Sequence, residues 1–293
     1  MNLSNFSMDT VALPGDLAGK LDAVKKAGFS QIMLWAKDLA NYPGGFAAAV
    51  ELVTTSGLKV TGLQVIRDYE GLEGSQHDCK VDLAKATLKM CRAINAPLLI
   101  VCSTTVDLPA DSATKMAQDL RKLANLAVPQ GVRIGYKAVP WGSVTRSNED
   151  AWEMVMAVDH ANFSLVIDSF HLMANQTELD SLEEIDPQKI ALLQLADFSA
   201  TEIRTPRDKR DTSIHMRVFP GEGVHSSELA AILRRLERIG YRGDIGFLVF
   251  NDDYHQLPQE DVLEHARRSA KWVTDQVLRR SLPLRMTAKR SVA

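Results

Sequence analysis

The chain has 293 residues, 45% hydrophobic and 24% charged, a balance that supports a large buried core and excludes disordered, collagen-like and disulfide-scaffold classes. Its 34 basic and 37 acidic side chains leave a net charge of −3, so no field of one sign gathers nucleic acid or an anionic membrane around it. Cys79, Cys91 and Cys102 show no CxxC spacing, and neither a secretory leader nor a membrane-spanning apolar run is read, so free thiols in a reducing, cytoplasmic compartment are expected.

In chain order, short apolar runs predict strands at 31–35, 60–65, 98–102, 132–136, 163–167, 190–194 and 245–250, with a weaker one at 3–8. Between them, apolar residues three and four apart predict helices at 17–27, 83–94, 112–127, 227–239 and 261–278. Capping signals at Asp111-Ser112 and Ser226-Ser227-Glu228 open two of these helices. Strand–helix alternation demands parallel pairing, and eight such units make a single-domain (β/α)8 TIM barrel over 1–278 the most economical architecture. No GxGxxG follows the first strand, which removes the main reason to prefer an open dinucleotide-binding sheet. Two stretches read as irregular. One is 197–223, a polar connection carrying Arg204, Arg207, Lys209 and Arg210, expected to be a lid or disordered. The other is the basic tail 279–293, expected to be mobile or an arm for a neighbouring subunit in a homo-oligomer.

In such a barrel the active site lies at the C-terminal strand ends, so polar residues that close an apolar run become candidates. They are Gln64, Arg67 and Asp68 after the third strand, Lys137 at the fifth, Asp168 and His171 at the sixth, and Gln194 and Asp197 at the seventh. His215, Arg217 and Glu222 follow on the long connection. Each alone has an ordinary structural reading: a strand-end Asp commonly caps the next helix, and a lone Gln is commonly a satisfied core amide. Their recurrence at successive strand ends is what points to a site.

The run Gly135-Tyr-Lys-Ala-Val-Pro-Trp-Gly142, with Asp159-His160, Leu165-Val-Ile-Asp-Ser-Phe-His171 and Leu193-Gln-Leu-Ala-Asp197, resembles the bacterial 3-dehydroshikimate dehydratases of the xylose isomerase-like TIM-barrel superfamily. Further matches are Arg67-Asp-Tyr-Glu-Gly71, Leu98-Leu-Ile-Val-Cys-Ser103, His215-Met-Arg-Val-Phe-Pro-Gly-Glu-Gly223 and Val249-Phe-Asn-Asp252, in order along nearly the whole chain. The resemblance implies a small-molecule substrate and enolate-type lyase or isomerase chemistry. It also implies a divalent metal held by a Glu of the fifth strand, an Asp of the sixth, a Gln or His of the seventh and a Glu of the eighth. Here those slots hold Lys137, Asp168, Gln194 and Leu248. Two oxygen ligands are too few for a hard cation, and an ammonium beside it repels it. Relatives are sometimes fused to a second domain resembling 4-hydroxyphenylpyruvate dioxygenase; the present sequence is read as a barrel followed by its tail.

The expectation is therefore a cofactor-free and metal-free site. Lys137, Asp168, His171 and His215 are its catalytic groups, and Gln64, Arg67, Gln194, Arg217 and Glu222 bind substrate. Lys137 replaces the metal as a fixed cation or, as a neutral amine, forms a Schiff base with a ketone. Dehydration of 3-dehydroshikimate itself is expected to be absent or very weak. An inactive ligand-binding or regulatory homologue is the main alternative, and a metal site completed by Asp197 or Asp252 is the third.

Overall fold

The first strand reads Phe6-Ser7-Met8-Asp9, large apolar alternating with small polar, and the two-residue period of a strand sends these sets to opposite faces. In the computed structural model, which describes residues 3–278, that alternation recurs round a closed barrel. The strands are β1 (Phe6–Asp9), β2 (Gln31–Trp35), β3 (Lys59–Arg67), β4 (Leu98–Cys102), β5 (Arg133–Lys137), β6 (Phe163–Asp168), β7 (Ile190–Leu195), a two-stranded ribbon of β8 (Asp197–Phe198) and β9 (Arg217–Val218), and β10 (Ile245–Phe247). Eight of them pair in parallel in the cyclic order β1-β10-β7-β6-β5-β4-β3-β2. Helices α1 (Leu17–Lys26), α2 (Ala36–Ala40), α3 (Gly45–Thr55), α4 (Gly74–Ala93), α5 (Ala113–Ala127), α6 (Asn148–Val158), α7 (Ser169–Ala174), α8 (Pro206–His215), α9 (Ser226–Ile239) and α10 (Gln259–Lys271) are spaced between and after them.

Two apolar clusters follow from the alternation. Outward residues such as Met8, Leu34, Val101, Ile134, Ile167 and Leu195 pack beneath the helices, which return Leu120, Leu123 and Ala127 from α5 and Leu229, Ile232 and Leu236 from α9. Inward residues Met33, Leu98, Ile100, Val166 and Leu192 form a separate plug inside the barrel. The lumen is so tight there that a Cβ on Gly135 would lie 2.6 Å from Val166 Cγ2, which is why β5 carries glycine at that level. One inward step beyond the plug the side chains turn polar, and that ring is the candidate site.

The predicted strands are found, β2 and β4 with the predicted bounds and the others with ends moved by up to three residues: β1 begins at Phe6 after a 3-10 turn over Leu3–Asn5, and β10 stops at Phe247. Helix α4 begins at Gly74, nine residues before the predicted start, because its first turns are polar and solvent-facing. The capping signals do not act as caps. Neither Ser112 nor the start of α9 shows a side-chain cap; Ser226 Oγ donates to Asp197 Oδ2 at 3.0 Å instead. The segment 197–223 is not irregular: it folds as β8, α8 and β9, with Thr205 and Asp208 forming a reciprocal capping box. An α8 without a wide apolar stripe hid the helix, and only Thr205-Pro-Arg-Asp208 betrayed it. The basic tail 279–293 lies outside the described residues.

Candidate active site

Hydrogen bonds that skip a strand locate the ring inside the barrel. Lys137 Nζ on β5 donates to Gln194 Oε1 on β7 at 2.6 Å and to Asp168 Oδ2 on β6 at 2.9 Å. Gln64 Nε2 on β3 donates to Asp9 Oδ2 on β1 at 2.7 Å. Asp168 is also the N-cap of α7, taking Phe170 N on Oδ1, so the ordinary reading of a strand-end Asp and the functional one hold together. Burial opposes ionisation of Asp168, yet the charges of Arg217 and Lys137 outweigh it and hold the carboxyl far below the usual range.

Arg217 is the second cation. Its Nη1 lies 3.0 Å from both oxygens of Asp168, its Nε donates to Ser213 O, its Nη2 donates to Ser213 Oγ, and the guanidinium covers the Phe170 ring at 4.5 Å. A further contact is to His171 Nε2, 3.2 Å from Nη2. On the other side of that ring Nδ1 meets Ala138 O at 2.9 Å, an atom that only accepts. Nδ1 therefore carries the hydrogen and Nε2 accepts from Arg217. Burial pushes this imidazole down to about 3, so it is neutral and both nitrogens are committed.

The strand-end rule missed Asp9, which closes β1 as Asp168 closes β6. The predicted first strand stopped one residue short of it. Asp9 is 2% exposed and accepts from Val11 N as well as from Gln64, but among the described residues no cation is bonded to it. Burial raises its carboxyl to about 7, the Asp38 charge adding to the effect while Val11 N, Lys137 and Lys20 oppose it. Leu248, 2% exposed and next after β10, brings an apolar side chain to the strand ends, while its carbonyl oxygen accepts from Arg217 Nη1 at 3.4 Å.

Not every predicted residue reaches the ring. His215 is exposed and its Nδ1 pairs with Asp252 at 2.9 Å. Glu222 faces α10, where His265 and Arg268 bind its carboxylate and Tyr254 adds a longer bond. Arg67 lines a neighbouring cleft of about 870 Å³ at the mouth, with Ser103, Trp141, Arg207 and Arg210. Trp141 meets His171 edge-on at 5.6 Å, so this cleft adjoins the ring. Asp68 accepts from Thr105, and Asp197 accepts from Phe198 N, His225 N and Ser226 Oγ.

These side chains do not fit a divalent ion. The oxygens of Asp168 and Gln194 that could ligate one face the Lys137 ammonium, the Leu248 side chain offers none and its carbonyl faces Arg217, and Asp197 and Asp252 are engaged elsewhere. Among the described residues no group of three or more His, Cys, Asp or Glu side chains is arranged to hold a metal. With His171 neutral, Lys137 and Arg217 outnumber Asp168, and the buried cluster carries one positive charge in excess.

A closed parallel barrel with its polar residues gathered at the C-terminal mouth is the architecture of the TIM-barrel class. A family model described as xylose isomerase-like TIM barrel matches residues 21–275, and the chain belongs to that family. It is 32% identical over 252 residues to a 3-dehydroshikimate dehydratase of Pseudomonas aeruginosa, covering 86% of this chain and 39% of that protein. It is 24% identical over 275 residues to an inosose isomerase of Bacillus velezensis, covering 92% of this chain and 95% of the relative. The solved structure of a xylose isomerase-like TIM barrel/4-hydroxyphenylpyruvate dioxygenase fusion protein superimposes with a TM-score of 0.86 at 28% identity, covering 94% of this chain and 43% of the fusion. The chain thus spans about two fifths of the length of the Pseudomonas dehydratases it matches. Among the described residues no helix is long and apolar enough to cross a membrane.

Proposed function

We propose that the chain is a lyase or isomerase that acts on a small oxygenated carbonyl compound through an enolate, with Lys137 in the role of a fixed electrophile. The observation that carries this reading is the excess positive charge of the Lys137–Asp168–Arg217 cluster, buried at the strand ends where a TIM barrel does its chemistry. A buried cation without a full counter-charge is costly unless a ligand supplies one. An enolate oxygen does so in the transition state and not in the ground state, which is the requirement for acceleration. The relatives being dehydratases and isomerases supports the same class.

Lys137 has three N–H donors, of which Asp168 and Gln194 take two, leaving one for a carbonyl oxygen. Asp168 and Gln194 fix the direction of the ammonium, and Arg217 keeps Asp168 ionised. One such preorganised donor is worth roughly 3 kcal/mol, about a hundredfold in rate. The test is exchange of the hydrogen beside the carbonyl in D2O, followed by proton NMR with 3-dehydroshikimate and inosose as probes. The unmodified chain exchanges at least one of them. Lys137→Met lowers the rate about a hundredfold while circular dichroism and the melting transition persist; full activity in this variant makes Lys137 scaffolding. Dehydration of 3-dehydroshikimate is slow or undetectable, and added manganese does not raise it. Lys137→Glu binds manganese only when combined with Leu248→Glu.

A further inference from the structure

Enolate chemistry needs a group that takes a proton from carbon and gives it back, and the ring offers few. His171 has both nitrogens engaged, by Ala138 O and by Arg217. Asp168 is bound by two cations, and His215 lies at the surface with Asp252. Asp9 differs from all of these. It is an inward residue at the end of β1 whose hydrogen-bond donors among the described residues are both neutral, Val11 N and Gln64 Nε2. In the cyclic strand order β1 stands four strands from β5 in either direction, so Asp9 and Lys137 occupy opposite arcs of one ring.

From this placement we infer that Asp9 is the proton-transfer residue of the site, working across the lumen from the Lys137 electrophile. The inference rests on the enolate reading above. In the step, the Asp9 carboxylate forms an O–H bond with the hydrogen beside the carbonyl, the C–H bond breaks, and its electron pair becomes the enolate held at Lys137. Asp9, now neutral, then returns the proton either to a departing hydroxyl, which leaves as water, or to a neighbouring carbon. Negative charge moves from one arc of the ring to the other, and the total charge of the site does not change. Three charged side chains act on Asp9 from different elements: Lys20 of α1 and Asp38 of α2, themselves paired at 2.9 Å, and Lys137 of β5. With its carboxyl raised to about 7, Asp9 exists in both forms near neutrality, as a reversible proton carrier requires.

The experiment uses the full chain and the D2O exchange of 3-dehydroshikimate and inosose between pH 5 and 8. The unmodified chain exchanges faster as pH rises and levels off on the alkaline side, since the carboxylate is the active form. Asp9→Asn lowers the rate about a hundredfold or more at every pH and removes that dependence, while KM stays within a few-fold. Asp9→Glu restores part of the rate with a displaced midpoint. If Asp9→Asn does not fold, the profiles of the unmodified chain and of Asp9→Glu decide. An Asp9→Asn protein that exchanges at the unmodified rate, or a flat profile in the unmodified chain, overturns this inference and leaves the enolate reading standing. No exchange of either probe by the unmodified chain overturns both.

Discussion

Lys137 is held by a carboxylate and an amide oxygen at once, a coordination that suits an ammonium and leaves a nucleophilic amine nothing to gain. The expected consequence is that borohydride added with 3-dehydroshikimate or inosose leaves the mass of the Lys137 peptide unchanged; a reduced adduct there would replace the electrostatic role with a Schiff base. Lys137, Asp168 and Gln194 were legible in the sequence because each is a polar residue that closes an apolar run, and a strand's period then fixes which way it faces. Arg217 was legible as a residue but not as the partner of Asp168, because β9 and β6 are brought together only by the return of α8. Asp9 escaped because the first strand has four residues, too few for its alternation to stand out.

Helix α8 shows how far pattern reading reaches at the scale of an element. Its ten residues, Pro206-Arg-Asp-Lys-Arg-Asp-Thr-Ser-Ile-His215, bury only Thr212 and Ser213, so no apolar stripe announces it. Its stability lies at its first turn, where Thr205 Oγ1 accepts from Asp208 N at 3.1 Å and Asp208 accepts from Thr205 N at 3.2 Å. Thr205→Ala is expected to cost about 1 kcal/mol locally, seen as roughly fivefold faster amide exchange along 206–215 with little change in global melting. The same helix sets Ser213 under Arg217, so a slower turnover with an unchanged fold is the companion result. Helices α5 and α9 and the barrel strands, by contrast, bury broad apolar faces and were readable to within a few residues, as was α4 apart from its polar start, whereas α3 and α6 were not read.

At the scale of the whole molecule, burial raises two carboxyl groups, neither of which has a bonded cation among the described residues. Besides Asp9, Glu70 is fully buried, accepts from Thr104 N and Tyr136 Oη on one oxygen, leaves the other without a partner, and is raised by burial to about 7. Between the ordinary carboxylate range and that value, the folded chain retains a proton the unfolded chain has released. Stability from these groups is therefore present in mild acid and is lost as pH rises through about 7. Urea unfolding across pH 5 to 7 is expected to show the decline, and Glu70→Gln should flatten it by up to about 1.4 kcal/mol per pH unit. A slope unchanged by that substitution would mean that Glu70 is ionised in the folded chain.

Closure of the barrel joins β1 to β10, pairing Phe6 with Ile245 and stacking Phe6 on Phe247 at 5.2 Å. Of the barrel strands, β1 is synthesised first and β10 last. Until β10 has left the ribosome and docked, β1 keeps an unpaired edge, and Asp9 at its end lacks that neighbouring strand. A nascent chain can thus carry Lys137, Asp168, Gln194 and Arg217 and still lack the strand that closes the barrel beside β1, so completion of the ring falls to the last strand pairing of a fold rich in long-range contacts.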